Sequence, residues 1–243
     1  MGLRDLFRRR DGTTGRPTSA NGASSMHLWW DIEVGEPAVS VAVTLTIVDP
    51  PPWPDLCFWA LQASFGDPPS RHGGAHLGLQ WYPAHPDSTA VNFGGYADGG
   101  GELRGSESSL SSATGNPNTR DFPWVAGRPY RLAIARVGEG VWSGRVDGVE
   151  IRTLSCPGDR LSGFVVWTEC FARCDAAPST VHWSDPEVTT ATGEIVRPAR
   201  YRATYQSVAD GGCATGTCEP APGGGVVQRT GVPNPRRRVE LPA

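Results

Sequence analysis

Along residues 39–48, Val39, Val41, Val43, Leu45 and Ile47 occupy every second position, with Ser40, Thr44 and Thr46 between them. Alternation of this kind, rich in β-branched residues, predicts a strand with one buried face. Segments of similar character recur at about 27–34, 56–65, 75–82, 89–96, 129–137, 140–146, 149–155, 160–169, 180–188 and 200–207. Clusters of Gly, Pro, Asp and Ser separate them, and no segment sustains a helical period beyond a turn or two. Many short, punctuated strands predict an all-β fold, an antiparallel β-sandwich or barrel.

One hairpin can be specified in detail. Asp147-Gly148 is a strong two-residue turn, because type I′ geometry needs positive φ at both central positions. The register that follows pairs Val146 with Val149, Arg145 with Glu150, and Gly144 with Ile151. The charged pair then occupies one face and the apolar pairs the other.

The same alternation sorts the remaining strands. In 58–65, Trp59, Leu61, Ala63 and Phe65 share an apolar face, with Gln62 and Ser64 opposite. In 76–82, Leu77, Leu79 and Trp81 oppose His76, Gln80 and Tyr82; in 90–96, Val91 and Phe93 oppose Asn92 and Tyr96. In 161–169, Phe164 and Val166 face the core and leave Trp167 and Glu169 on the second side. If these strands are neighbours, Gln62, Gln80, Tyr82, Asn92, Tyr96, Trp167 and Glu169 line one surface. Amides and a carboxylate bond hydroxyls directionally, and aromatic rings offer apolar faces to sugar C–H groups, so this set is a candidate carbohydrate-binding face. The bland alternative is a polar outer face with aromatics filling space.

Composition narrows the reading. The 243 residues include 31 Gly and 22 Pro, which argues against helical bundles, while 38% hydrophobic residues and nine Trp suffice for a core. Residues 1–25, small, polar and Gly-rich, and 209–243, rich in Gly, Pro and Arg, are expected to be flexible tails around a single 26–208 domain. The Arg236–Arg238 run is expected to be a solvated tail. A net charge of −3 gives no general attraction to nucleic acid. No apolar stretch approaches a membrane span. The opening residues carry Arg8–Arg10 and no apolar run of a secretory signal, so the expected location is cytoplasmic. Oligomeric state is left open.

The six cysteines, at 57, 156, 170, 174, 213 and 218, admit local disulfides, free thiols, or a zinc site from Cys170-x3-Cys174 and Cys213-x4-Cys218, whose spacing is looser than usual. His72 and His76 flank Gly73-Gly74 and read as incidental. Asp98–Glu102 could offer oxygen ligands to calcium, although a plain Gly-rich turn is the simpler reading, and no cofactor is expected. Phosphate-loop, dinucleotide-binding and G-x-S-x-G signatures are absent. The Ser-rich stretch 105–112 reads as an exposed loop, with a lid over the proposed groove as an alternative.

Phe58-Trp-Ala-Leu-Gln-Ala-Ser-Phe65, Gly78-Leu-Gln-Trp81 and Asn92-Phe-Gly-Gly-Tyr96, followed by Trp124, Tyr130-Arg-Leu132 and Trp142-Ser-Gly144, resemble the core of concanavalin A-like lectin and glucanase jelly rolls. The likeness spans roughly residues 27–190 and is nearest to an uncharacterised bacterial branch. It implies two antiparallel sheets, with ligands on the concave face or rim loops, and no particular activity. Asp31 and Glu33 loosely echo the E-x-D-x-x-E strand of laminarinase-like glucanases, but Trp29 stands where the first Glu belongs. The expectation is therefore a non-catalytic, lectin-like protein. The alternatives are a glycosidase using Glu169 or the Asp31/Glu33 pair, and a structural or protein-interaction domain.

Overall fold

The computed structural model describes residues 11–66, 71–234 and 238–242. Its strands are β1 (Ser24–Asp31), β2 (Ala38–Asp49), β3 (Cys57–Phe65), β4 (Gly73–Trp81), β5 (Thr89–Ala97), β6 (Thr119–Asp121), β7 (Pro129–Gly138) and β8 (Val141–Val146). They continue with β9 (Val149–Ser155), β10 (Leu161–Cys170), β11 (Thr180–Thr190), β12 (Ile195–Val196), β13 (Arg200–Tyr205), β14 (Thr215–Pro220), β15 (Val226–Pro233) and β16 (Arg238–Pro242). Each segment identified by alternation is a strand.

All these strands join one antiparallel hydrogen-bonded network, which folds into two layers. The first runs β16-β13-β1-β10-β3-β4-β5-β6 and the second β14-β15-β11-β2-β7-β8-β9, with β12 on β11. Strand pairing joins the layers at Leu161 with Ala38, and side-chain bonds such as Thr168 Oγ1–H to Gln228 Oε1 link them elsewhere. Between them lies the core. Leu28, Leu61, Leu77 and Phe93 of the first layer pack with Val43, Leu45, Leu132, Trp142 and Trp183 of the second. The rings of Phe65 and Trp142 lie 4.9 Å apart across the interface. Close approach is possible because β8 carries Gly144, where a Cβ would fall 2.4 Å from the Phe93 ring. The fold is thus a β-sandwich.

The β8–β9 hairpin turns at Asp147 (φ 50°) and Gly148 (φ 80°), with Arg145 opposite Glu150 and Val146 opposite Val149. Beyond that the expected register fails. Gly144 faces Arg152, and a bulge absorbs Ile151, whose side chain is fully buried.

The flexible-tail expectation also fails within the described residues. In 209–243, β14 and β15 form a hairpin that docks on β11, and β16 pairs with β13. Val226 and Leu241 join the apolar core, and the buried Gln228 accepts from Thr168 Oγ1 and Trp183 Nε1, so these positions supply the contacts that ordering needs. The Gly/Pro-rich composition marks the hairpin turn, closed by Ala221 N–H to the Gly225 carbonyl. Of the Arg run, Arg236 and Arg237 lie outside the described residues, and Arg238 begins β16. Residues 1–10 also lie outside them; 11–23 are clasped against the body by Thr18 N–H to the Gly211 carbonyl, Cys174 N–H to the Gly15 carbonyl, and an Arg16–Asp55 ion pair at 2.8 Å.

Two disulfides take up three of the four cysteines of the candidate zinc site. Cys57 joins Cys170 on the neighbouring strands β3 and β10, and Cys174 joins Cys213, tying the C-terminal region to the loop after β10. Cys156 and Cys218 are buried free thiols. The 105–112 stretch packs against the β9 edge, through Ser106 N–H to the Thr153 carbonyl and Ser108 Oγ to the Ile151 carbonyl (2.5 Å), and does not form a lid.

Candidate ligand-binding face

The first layer turns its second face away from the core, and strand register orders its side chains in rows. One row reads Thr204, His27, Trp167, Ala60, Gly78, Asn92 across β13, β1, β10, β3, β4 and β5. The next reads Arg202, Trp29, Val165, Gln62, His76, Gly94. On the other side, Glu169, Phe58, Gln80 and Ala90 align. Period-two alternation therefore does bring Gln62, Gln80, Asn92, Trp167 and Glu169 to one face.

The floor of this face is apolar. Phe58, Ala60, Val165 and Trp167 form a cluster separate from the main core, with Trp29 against it. Phe58 and Trp167 meet edge to face at 4.9 Å, a favoured quadrupole arrangement. Polar groups rise from that floor. Trp167 Nε1–H donates to Gln62 Oε1 at 3.1 Å, and Gln62 Nε2–H donates to the Tyr96 hydroxyl at 3.2 Å. Tyr96 is 40% exposed, so this chain ends in solvent.

The other candidates are placed differently. Glu169 Oε1 accepts from Asn21 Nδ2 at 2.9 Å. Burial pushes its carboxyl above the ordinary range, and the Asn21 bond opposes this. Asn92 donates to Thr119 Oγ1 at 2.8 Å and is buried, and among the described residues the enclosed Gln80 Oε1 has no hydrogen-bond partner, so both amides lie beneath the surface. Tyr82 stands beyond the end of β4 in a turn, its ring 5.1 Å from that of His85. The accessible polar set is thus narrower than alternation suggests.

Two histidines complete the face. Burial among Phe58, Trp167 and neighbours lowers His76 to about 4, against the opposing pull of the Asn92 amide and the Glu102 charge. His27, whose ring stacks on Trp29 with centroids 6.0 Å apart, is also lowered by burial. Both are neutral near pH 7 and can accept or donate a hydrogen bond without adding charge. The alternation of 27–34 signalled the strand carrying His27 and Trp29, but no motif marked either residue.

The carboxylates offered for hydrolysis, Glu169 and the Asp31/Glu33 pair, do not converge in one cleft. Asp31 pairs with Arg200 at 3.2 Å, and Glu33 is exposed past the end of β1. Asp121 shares a row with Glu169 but lies four strands away, roughly 19 Å at normal strand spacing. Two further acidic residues on β11 are also apart from Glu169: Asp185 lies in a bulge, and Glu187, at the end of that bulge, bonds Arg131 at 2.5 Å. Among the described residues, no three His, Cys, Asp or Glu side chains converge as metal ligands, and no helix is long and apolar enough to cross a membrane.

No protein-family model and no curated protein matches the chain. Solved structures with a similar course include SCP-B, a member of the eqolisin family of peptidases, in complex with a tripeptide (TM-score 0.45, 11% identity, 90% of this chain and 99% of that one). Another is the carbohydrate-binding module CBM66 from Bacillus subtilis (TM-score 0.32, 9% identity, 66% and 92%). A third is the kappa-carrageenase of Pseudoalteromonas carrageenovora with an oligotetrasaccharide (TM-score 0.34, 9% identity, 98% and 92%). At these identities the likeness concerns β architecture and transfers no residue role.

Proposed function

We propose that the protein is a non-catalytic, lectin-like module that holds a carbohydrate on the outer face of its first layer. The observation that carries this reading is the Trp167–Gln62–Tyr96 hydrogen-bond chain standing on an aromatic floor. Such a surface combines flat apolar area for sugar C–H groups with fixed donors and acceptors for hydroxyls. A hydrolytic reading has less support, because the partner of Glu169 is the Asn21 amide and not a second carboxyl. The Cys57–Cys170 and Cys174–Cys213 bonds also suit an oxidising compartment, where extracellular glycans are met, better than the cytoplasm. Calcium is not needed for this mode of binding.

A glycan array followed by calorimetric titration tests the proposal. Binding of at least one saccharide, weakened tenfold or more by Gln62→Ala and by Tyr96→Ala in folded protein, is expected. Absence of binding across the array would overturn it.

A further inference from the structure

Two cavities, of about 530 and 410 Å3, open at the β1/β13 end of the first layer, where its outer face meets the rim of the core, and share Trp29, Trp30 and Arg202 in their walls. Each falls in the ~300–1,000 Å3 range of small-molecule sites. Resting on the carbohydrate reading, we infer that this end binds the carboxylate or sulfate group of an acidic oligosaccharide, with Arg202 and Arg71 as the anion-binding groups and Trp29 as the platform for the sugar ring.

The Trp29 ring is fixed by its Nε1–H donating to Thr204 Oγ1 at 3.1 Å, and the Arg202 guanidinium sits 5.7 Å from the ring centroid. Other arginines in these walls are already neutralised. Arg200 pairs with Asp31 at 3.2 Å and Arg160 with Asp159 at 3.1 Å. Among the described residues, no carboxylate lies within ion-pair distance of Arg202 or Arg71, although both line the larger cavity. Of the remaining acidic side chains in the walls, Glu36 is exposed, and Glu240 is exposed on β16 opposite Arg202 but beyond ion-pair distance, where the attraction of two solvated charges is weak. A guanidinium presents a planar fork of donors that matches a carboxylate or sulfate edge.

The placement also fits an oligomeric ligand. Arg202, Trp29, Val165 and Gln62 form one row across β13, β1, β10 and β3, three strand spacings or roughly 14 Å. A short saccharide lying across the strands would meet Gln62 at one end and Arg202 at the other. Nucleic acid is disfavoured, because a phosphate backbone needs a basic track and the chain carries a net charge of −3.

The test titrates the full chain with oligogalacturonate, oligoalginate and a sulfated oligosaccharide beside an uncharged panel, using the native sequence, Arg71→Gln, Arg202→Gln and Arg202→Lys. We expect an acidic saccharide to bind, to lose tenfold or more with either Gln variant, to be partly restored by Arg202→Lys, and to weaken with added salt. Thermal unfolding checks each variant, and Arg71→Gln, at an exposed position, reports alone if Arg202→Gln does not fold. Binding confined to uncharged saccharides and indifferent to Arg71→Gln would overturn this inference and leave the carbohydrate reading intact. Failure of every saccharide would overturn both. Tighter binding of a single-stranded oligonucleotide, lost in the same variants, would also overturn the acidic-saccharide assignment.

Discussion

The indole of Trp167 on β10 and the amide of Gln62 on β3 are bonded diagonally, since the strand register places Gln62 opposite Val165. A diagonal bond ties two rows of the face together and fixes the ring against Phe58. Trp167 is only 8% exposed, so its N–H has little access to water as a substitute partner.

Gln62→Leu keeps the side-chain bulk and removes that acceptor. The orphaned N–H should cost about 1–3 kcal/mol, measured by urea unfolding. Combining it with Trp167→Phe, which removes the donor, should cost less than the sum of the single changes. Strict additivity would show that the bond contributes nothing.

Glu169 has a folded-state pKa raised by burial, so the folded protein binds its proton more tightly than the unfolded chain. The associated stability is fully present below about pH 4.5, the ordinary glutamate value, and is lost as pH rises through the raised one. Glu169→Gln, which can still accept from Asn21, should match the native protein at pH 4 and exceed its melting temperature at pH 8. Scanning calorimetry at the two pH values checks this; a variant less stable at pH 8 would contradict it.

The disulfides close separations of 113 residues (Cys57–Cys170) and 39 residues (Cys174–Cys213). Loop-closure entropy assigns them roughly 4–5 kcal/mol and somewhat less, respectively. Reductant should therefore lower the melting temperature markedly. Alkylation of the unreduced, unfolded chain should label only Cys156 and Cys218, read by mass spectrometry.

Gly148 has open space where a side chain would start, so only its backbone conformation matters. Gly148→Ala should cost about 1–2 kcal/mol, the steric penalty of a left-handed L-residue, in chemical denaturation.

Alternation was enough to read the strands that carry the face, because their inward positions form unbroken apolar sets such as Val41, Val43, Leu45 and Ile47. The same alternation puts Gln62 and Trp167 on one face. It could not tell that Gln80 and Asn92 sink beneath the surface, since depth depends on which strands flank them. Tyr82 was misplaced because the strand stops one residue earlier, at Trp81. The C-terminal strands were hidden by turn residues that share their composition with linkers. Cysteine pairing followed from strand neighbours rather than spacing: Cys57 and Cys170 are directly opposite each other. Trp29 meets Arg202, which lies far along the chain, only through the β1–β13 pairing.

The last strand, β16, borders the layer that carries the candidate face, and its pairing with β13 occupies donors and acceptors that would otherwise point outward. A chain cut back before residue 238 would leave β13 as a bare margin, ready to recruit a strand from another molecule. It would also strip Glu240 from the rim of the smaller cavity. Trimming the C-terminus as though it were a dispensable tail should therefore yield self-associating material.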